Sequence, residues 1–273
     1  MNAKGRVVVV TGAGNGIGRQ LVRELVQRGA KVAGVDVSAT GLEETSRLSS
    51  STEVATFVTD ISKRDQVEAL PAAVVKHFGA VDGLINCAGI VQPFVPVVEL
   101  DYATIERVFA VNWLGTLQMT KAFLPLLLER PEAHLVNVSS MGGFMPFPGQ
   151  TAYGASKAAV KLFTEGLQGE LAGTSVHVTA VYPGAIGTDI LKNSGVDSQL
   201  SAADAGNKAM PPEEAARQIV DAMEKNRPRV MVGKDAWALD LLTRIAPVRS
   251  AALIARQLKK LIAPAKAKPE RLG

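Results

Sequence analysis

Along this chain the apolar residues follow two periods in turn. Short runs rich in β-branched residues recur near 6–11, 31–36, 54–58, 82–86, 133–139, 175–181 and 229–232, as in strands buried on both faces. Between them, the stretches 16–29, 63–78, 103–129, 151–173 and 212–225 carry apolar side chains three and four apart, as one face of a helix does. Pro212 suits a first helical turn. Repeated strand–helix–strand units need right-handed crossovers, which align the strands in parallel and place helices on both faces. The expectation is an α/β fold: a single-domain, doubly wound parallel sheet of the Rossmann type with about seven strands. Ligands of such sheets sit beyond the carboxyl ends of the strands, so function is expected in the loops there. The segment 189–211 follows the sixth strand without a clear period and is expected to form a mobile lid over that edge.

Composition narrows the class. The 273 residues are 47% hydrophobic and 21% charged, which excludes disordered, collagen-like and disulfide-scaffold chains. The single cysteine, Cys87, has no partner for an internal bridge and reads as a small buried hydrophobe. No apolar run approaches the roughly 18 residues that span a bilayer, and Val7–Val10 is too short for a signal segment, so a cytoplasmic location is expected.

Charge is unevenly placed. The formal net charge is +4, but residues 241–273 hold eight basic residues against Glu270, leaving residues 1–240 mildly acidic at −3. An acidic body offers no groove for nucleic acid, and none is expected as a partner. The chain divides accordingly into a catalytic and dinucleotide-binding body, 1–240, and a basic amphipathic extension, 241–273. In that extension Leu253, Ile254, Leu258, Leu261 and Ile262 share one helical stripe. Docking of the stripe on the body or a partner subunit is favoured over contact with an anionic membrane surface.

Candidate chemistry lies at the expected edge. Thr11-Gly12-Ala13-Gly14-Asn15-Gly16-Ile17-Gly18 follows the first strand and opens a helix, where glycines allow close backbone approach and the helix N-terminus stabilises a pyrophosphate. Asp36, at the end of the second strand, can accept hydrogen bonds from ribose hydroxyls and repel a 2′-phosphate; with no basic residue at Asn15, NAD is expected rather than NADP. Asp60 and the run Asn86–Gly89 extend the same edge. Tyr153 and Lys157 stand four apart on one helix face, where an ammonium can lower the phenol pKa and ready it for proton exchange. Ser139 and Ser140 end the fifth strand, and Asn112 lies within the long preceding helix. A serine hydroxyl there can bond a carbonyl or alkoxide oxygen while the tyrosine moves its proton. His77, His134 and His177 lack ligand spacing, so no metal is expected.

Taken in order, TGxxxGxG at 11–18, Asp36, Asp60, NxAG at 86–89, Asn112, Ser140, YxxxK at 153–157 and Pro183-Gly184 with Thr188 resemble the short-chain dehydrogenase/reductase family over about residues 5–233. The resemblance implies a catalytic set of Asn112, Ser140, Tyr153 and Lys157. In it Tyr153 is the general acid/base, Lys157 holds the nicotinamide ribose and lowers the tyrosine pKa, and Asn112 fixes a water of the proton relay. It implies cofactor contacts at Gly12, Asn15, Gly16, Ile17, Gly18, Asp36, Asp60, Ile61, Asn86, Ala88, Gly89, Tyr153, Lys157, Pro183, Gly184, Ile186 and Thr188. Cys87 departs from the pattern, standing where the family often has a second asparagine.

Val91, Phe94, Phe144, Met145, Phe147, Ile190 and Leu191 fall in loops expected around the nicotinamide, which suggests a lipophilic secondary alcohol or ketone as the small-molecule substrate. Trp113 and Trp237 read as packing residues. Small residues on 151–173 (Ala158, Ala159, Gly166, Gly169) leave room for a second subunit, and a homodimer or homotetramer is expected. Two other readings remain at this point: a catalytically silent NAD-binding regulator, and a nucleotide-binding methyltransferase, which would have no use for Ser140, Tyr153 and Lys157.

Overall fold

The computed structural model describes residues 1–49, 51–196 and 209–258. The first half runs β1 (Val7–Thr11), α1 (Gly16–Gln27), β2 (Lys31–Asp36), α2 (Ala39–Ser49), β3 (Val54–Val58), α3 (Arg64–Phe78) and β4 (Gly83–Asn86). Next come α4 (Tyr102–Phe109), a π-helical turn (Ala110–Gly115), α5 (Thr116–Leu128), β5 (Ala133–Val138), α6 (Thr151–Glu170) and β6 (Val176–Pro183). The chain continues with α7 (Ile190–Asn193), α8 (Pro212–Glu224), β7 (Arg229–Val232), α9 (Lys234–Ile245) and α10 (Pro247–Leu258).

The seven strands form one parallel sheet in the order β3-β2-β1-β4-β5-β6-β7. Alternate residues of β1 show why both faces carry helices. Val8 and Val10 enter a core with Leu21 and Leu25 of α1 and Ile219 and Met223 of α8. Val7 and Val9 enter the opposite core, with Val67 and Val74 of α3 and Phe123 and Leu127 of α5. A strand with both faces covered reads as a continuous apolar run, and all five β1 residues are buried. The strand order reverses between β1 and β4, which opens a crevice at their carboxyl ends.

The helix expected over 103–129 is broken by the π-helical turn, with Asn112 inside it. Gly115 ends that turn, and a Cβ there would come within 2.7 Å of Ile61 Cδ1, so the missing side chain lets the turn press on the loop after β3. Helix α2 carried no clear signal because it buries only Leu42 and Thr45. Helix α9 runs without a break through residue 240, where the extension was expected to begin, and Asp240 within it pairs with Arg229 of β7 at 2.6 Å. Of the expected tail stripe, Ile254 is buried and Leu253 exposed, while Leu261 and Ile262 lie outside the described residues. The expected lid holds α7, and its residues 197–208 also lie outside them.

Candidate active site

The loop after β1 is built for close approach. Gly12 has φ 71°, and a Cβ on it would stand 2.9 Å from the Ala88 Cα; a Cβ on Gly18 would collide with the Gly12 carbonyl. Thr11 Oγ1 accepts from the Cys87 and Ala88 amides at 3.0 and 3.1 Å, which joins the ends of β1 and β4 across the crevice. Asp36 closes the other side: its carboxylate accepts from the Gly14 amide at 2.8 Å and the Ser38 amide at 2.9 Å. These residues open into a cavity of about 600 Å³.

The same cavity reaches the expected chemistry. Ser140, Tyr153 and Lys157 line it, as do Val91, Phe94, Phe147, Ile190 and Leu191. Ser140 follows β5, where its Oγ accepts from the Gly142 amide at 3.0 Å; a Cβ on Gly142 would stand 3.3 Å from the Tyr153 ring and 3.5 Å from Ser140 Oγ, so the two side chains flank one glycine. Lys157 is buried; its ammonium donates to the Val138 carbonyl at 3.0 Å, and its own carbonyl accepts from Ser139 Oγ at 2.7 Å. Burial lowers the Lys157 pKa to about 8, opposed by charge interaction with Cys87. Burial raises the Tyr153 pKa, and Ser140 opposes it.

A family model described as short chain dehydrogenase matches residues 6–199. The chain belongs to that family. It is an oxidoreductase fold that works with a nicotinamide cofactor. A Mycobacterium tuberculosis protein named as an oxidoreductase, SadH, is 39% identical over 273 aligned residues, covering 96% of this chain and 99% of that one. A Burkholderia phymatum short-chain dehydrogenase/reductase solved with NAD aligns with TM-score 0.81 and 26% identity, over 98% of this chain and 99% of the other. A Burkholderia cenocepacia short-chain dehydrogenase solved with NADP aligns with TM-score 0.79 and 28% identity, over 93% and 99%. The methyltransferase reading falls with this result.

Most residues assigned to this dehydrogenase's cavity from its sequence line it: Gly12, Asn15, Gly16, Ile17, Gly18, Asp36, Asp60, Ile61, Ala88, Gly89, Pro183, Gly184, Ile186 and Thr188. Asp60 also accepts from the Ser62 amide and hydroxyl, which shapes the start of α3. Asn86 stays out of the cavity, because its side chain turns into the sheet to reach Asn137 Oδ1 at 2.9 Å and Thr120 Oγ1 at 3.2 Å. Phe144 and Met145 are also outside: Phe144 packs edge-on to Tyr182 and Met145 is buried. Cys87 lines the cavity and packs against the core, and burial pushes its thiol up to about 12. Trp113 packs against Phe163, as expected of a packing residue, whereas Trp237 is exposed. Among the described residues no group of three or more His, Cys, Asp or Glu is placed to hold a metal ion.

Asn112 lies beside the cavity, not in its wall. Its Oδ1 accepts from the Ile90 amide at 2.8 Å, and its Nδ2 donates to the Ile90 carbonyl at 2.9 Å and to Ser156 Oγ at 3.0 Å. It thus clamps the loop after β4 to α6, the helix of Tyr153. Three further supports carried no sequence signal. Gln92 is wholly buried; its Oε1 accepts the Tyr153 amide at 2.9 Å and its Nε2 donates to the Gly149 carbonyl at 3.0 Å. Asp235, at the start of α9, accepts the Ala185 amide at 2.7 Å and so holds the loop of Pro183 and Gly184. Ser194 pins α7 to the loop after β4: its Oγ accepts the Val91 amide at 3.0 Å, and its carbonyl accepts from Arg107 at 3.1 Å.

Proposed function

We propose that this chain interconverts a lipophilic secondary alcohol and its ketone, using NAD, through Ser140, Tyr153 and Lys157. The observation that carries the reading is that Ser140, Tyr153 and Lys157 line one cavity whose far end is the glycine loop and Asp36. The glycine loop suits a dinucleotide: without a Cβ at Gly12 and Gly18 it packs closely on Ala88 and on itself at the N-terminus of α1, whose free amides can bind a pyrophosphate. A bound nicotinamide supplies the hydride acceptor in oxidation and the donor in reduction. Ser140 orients the substrate oxygen, and Tyr153 takes the hydroxyl proton in oxidation and returns it in reduction. Lys157, within the same cavity wall, supplies positive charge that favours the tyrosinate and a donor for ribose hydroxyls. Asn112 is a positioning residue that holds Ile90 and α6 together. Val91, Phe94, Phe147, Ile190 and Leu191 supply the apolar wall that supports a lipophilic substrate.

Asp36 lines the cavity and supports NAD over NADP, since a carboxylate there would repel a 2′-phosphate. We also read the chain as a cytoplasmic homo-oligomer. A Cβ on Gly166 or Gly169 would meet nothing within 4 Å, so that face of α6 is open for a second subunit rather than packed on the sheet. The test follows nicotinamide absorbance with a panel of secondary alcohols and ketones. Tyr153→Phe should lower turnover at least about a thousandfold while sparing cofactor affinity. Retention of most activity by that variant would sink the assignment.

A further inference from the structure

Helix α9 presents Trp237, Leu241 and Ile245 four apart on one face, 63%, 45% and 75% exposed, and Val248 at the start of α10 continues the row at 82%. An isolated exposed leucine is ordinary, but a continuous row headed by a tryptophan is a surface that is covered in use.

The charges around the row indicate what covers it. From Trp237 to Arg256 every exposed residue is apolar or arginine. The arginines are Arg244, Arg249 and Arg256. The acid in that span, Asp240, is engaged by Arg229 at 2.6 Å and Arg244 at 3.1 Å. The sequence from 241 to 273 adds to the same sign, at net +7. A two-fold pairing of this face with itself would set arginines against arginines. An anionic bilayer instead takes the apolar row below its headgroups and leaves the arginines among the phosphates, with tryptophan at the depth it favours.

We propose that the α9–α10 face docks on an anionic phospholipid membrane surface. This differs from the expectation for the tail: there the stripe at 253–262 was the candidate and docking on protein was favoured, whereas the structure buries Ile254 and presents a different row on α9. The docking face adjoins the cavity, because Asp235, two residues before Trp237, holds Ala185 in the cavity wall. Contact therefore brings the cavity close to a lipid phase. Among the described residues no helix is long and apolar enough to cross a membrane, so the contact is peripheral. The proposal stands on this surface alone and does not depend on turnover.

The experiment uses the full chain and sedimented vesicles of phosphatidylcholine, with and without phosphatidylglycerol. The expected result is about tenfold more protein on the anionic vesicles at low salt, with the difference lost at high salt. In a Trp113→Phe background, Trp237 emission should shift to the blue on binding. Leu241→Asp with Ile245→Asp should abolish binding while keeping cofactor affinity, which reports an intact body; Trp237→Ser serves as a milder second variant. Equal binding to both vesicles, no binding, or binding retained by the double variant would each overturn the proposal. So would a change of oligomeric state in that variant without vesicle binding, since a second copy would then cover the face.

Discussion

Asp36 and Lys157 show how single side chains trade stability against chemistry. Asp36 was legible in the sequence as an acid at a strand end, and the structure adds that it braces the glycine loop through the Gly14 amide. Asp36→Ala should therefore weaken NAD and relieve the charge opposing NADP, narrowing the ratio of the two dissociation constants by about tenfold. Titration of both cofactors checks this. Lys157 carries a cost. Its pKa is about 8 in the folded chain against 10.5 ordinarily, so between those values the unfolded chain binds more protons and stability rises with pH. At pH 7 the buried ammonium costs about 3 kcal/mol. Lys157→Met should recover about 2 kcal/mol of that after losing the bond to Val138, and should flatten the rise between pH 8 and 10.5. Denaturant melts at pH 7 and pH 10 measure both effects, and turnover should fall. The Tyr153–Lys157 spacing was readable from the chain; the direction of the tyrosine shift was not, since it follows from burial and from Ser140.

Between elements, the site depends on loops tied to helices by side chains with no chemical role of their own. Gln92 joins the loop after β4 to the start of α6, and Asn112 joins it to the second turn of the same helix through Ser156. Gln92→Leu removes the acceptor of the Tyr153 amide, and a small displacement of a reacting group costs rate steeply. We expect kcat to fall about tenfold with little change in KM, and the pH profile of kcat to move. Gln92→Glu keeps the acceptor, loses the donor to Gly149, and should retain more activity than leucine. Steady-state kinetics across pH distinguish these variants from a general loss of folding, which would scale all parameters through active concentration. The strands were legible because a doubly covered strand is a continuous apolar run. Helix α2 was not, because two buried positions make no period, and the π-helical turn was not, because it arises where Asn112 and Gly115 meet the loops after β4 and β3.

Acid stability depends on contacts across the whole molecule. His134 of β5 is buried, and its Nε2 lies 2.8 Å from Thr179 Oγ1, which donates its own proton to the Arg227 carbonyl at 2.7 Å. Nε2 must therefore carry the ring proton, leaving Nδ1 bare. Desolvation, with the N-terminal ammonium and His177 nearby, lowers the His134 pKa to about 3 from 6.5. The unfolded chain binds the proton first as pH falls, so stability is full above about 6.5 and is lost towards pH 3, by about 4 kcal/mol. His134→Gln should lessen that loss, and the midpoint of urea unfolding followed from pH 7 to pH 4 checks it. The alternation of parallel strands with helices, the glycine loop and the ordered series Asp36, Ser140, Tyr153 and Lys157 could be read from the chain, because each rests on a local period or a short spacing that the backbone converts directly into a face or a strand end. Folding alone settled which partners those side chains meet. Gln92 takes the Tyr153 amide and Val138 the Lys157 ammonium, Asn86 turns into the sheet, and Trp237 faces outward. Each outcome depends on residues far apart in sequence competing for the same space and the same hydrogen bonds, which no periodicity records.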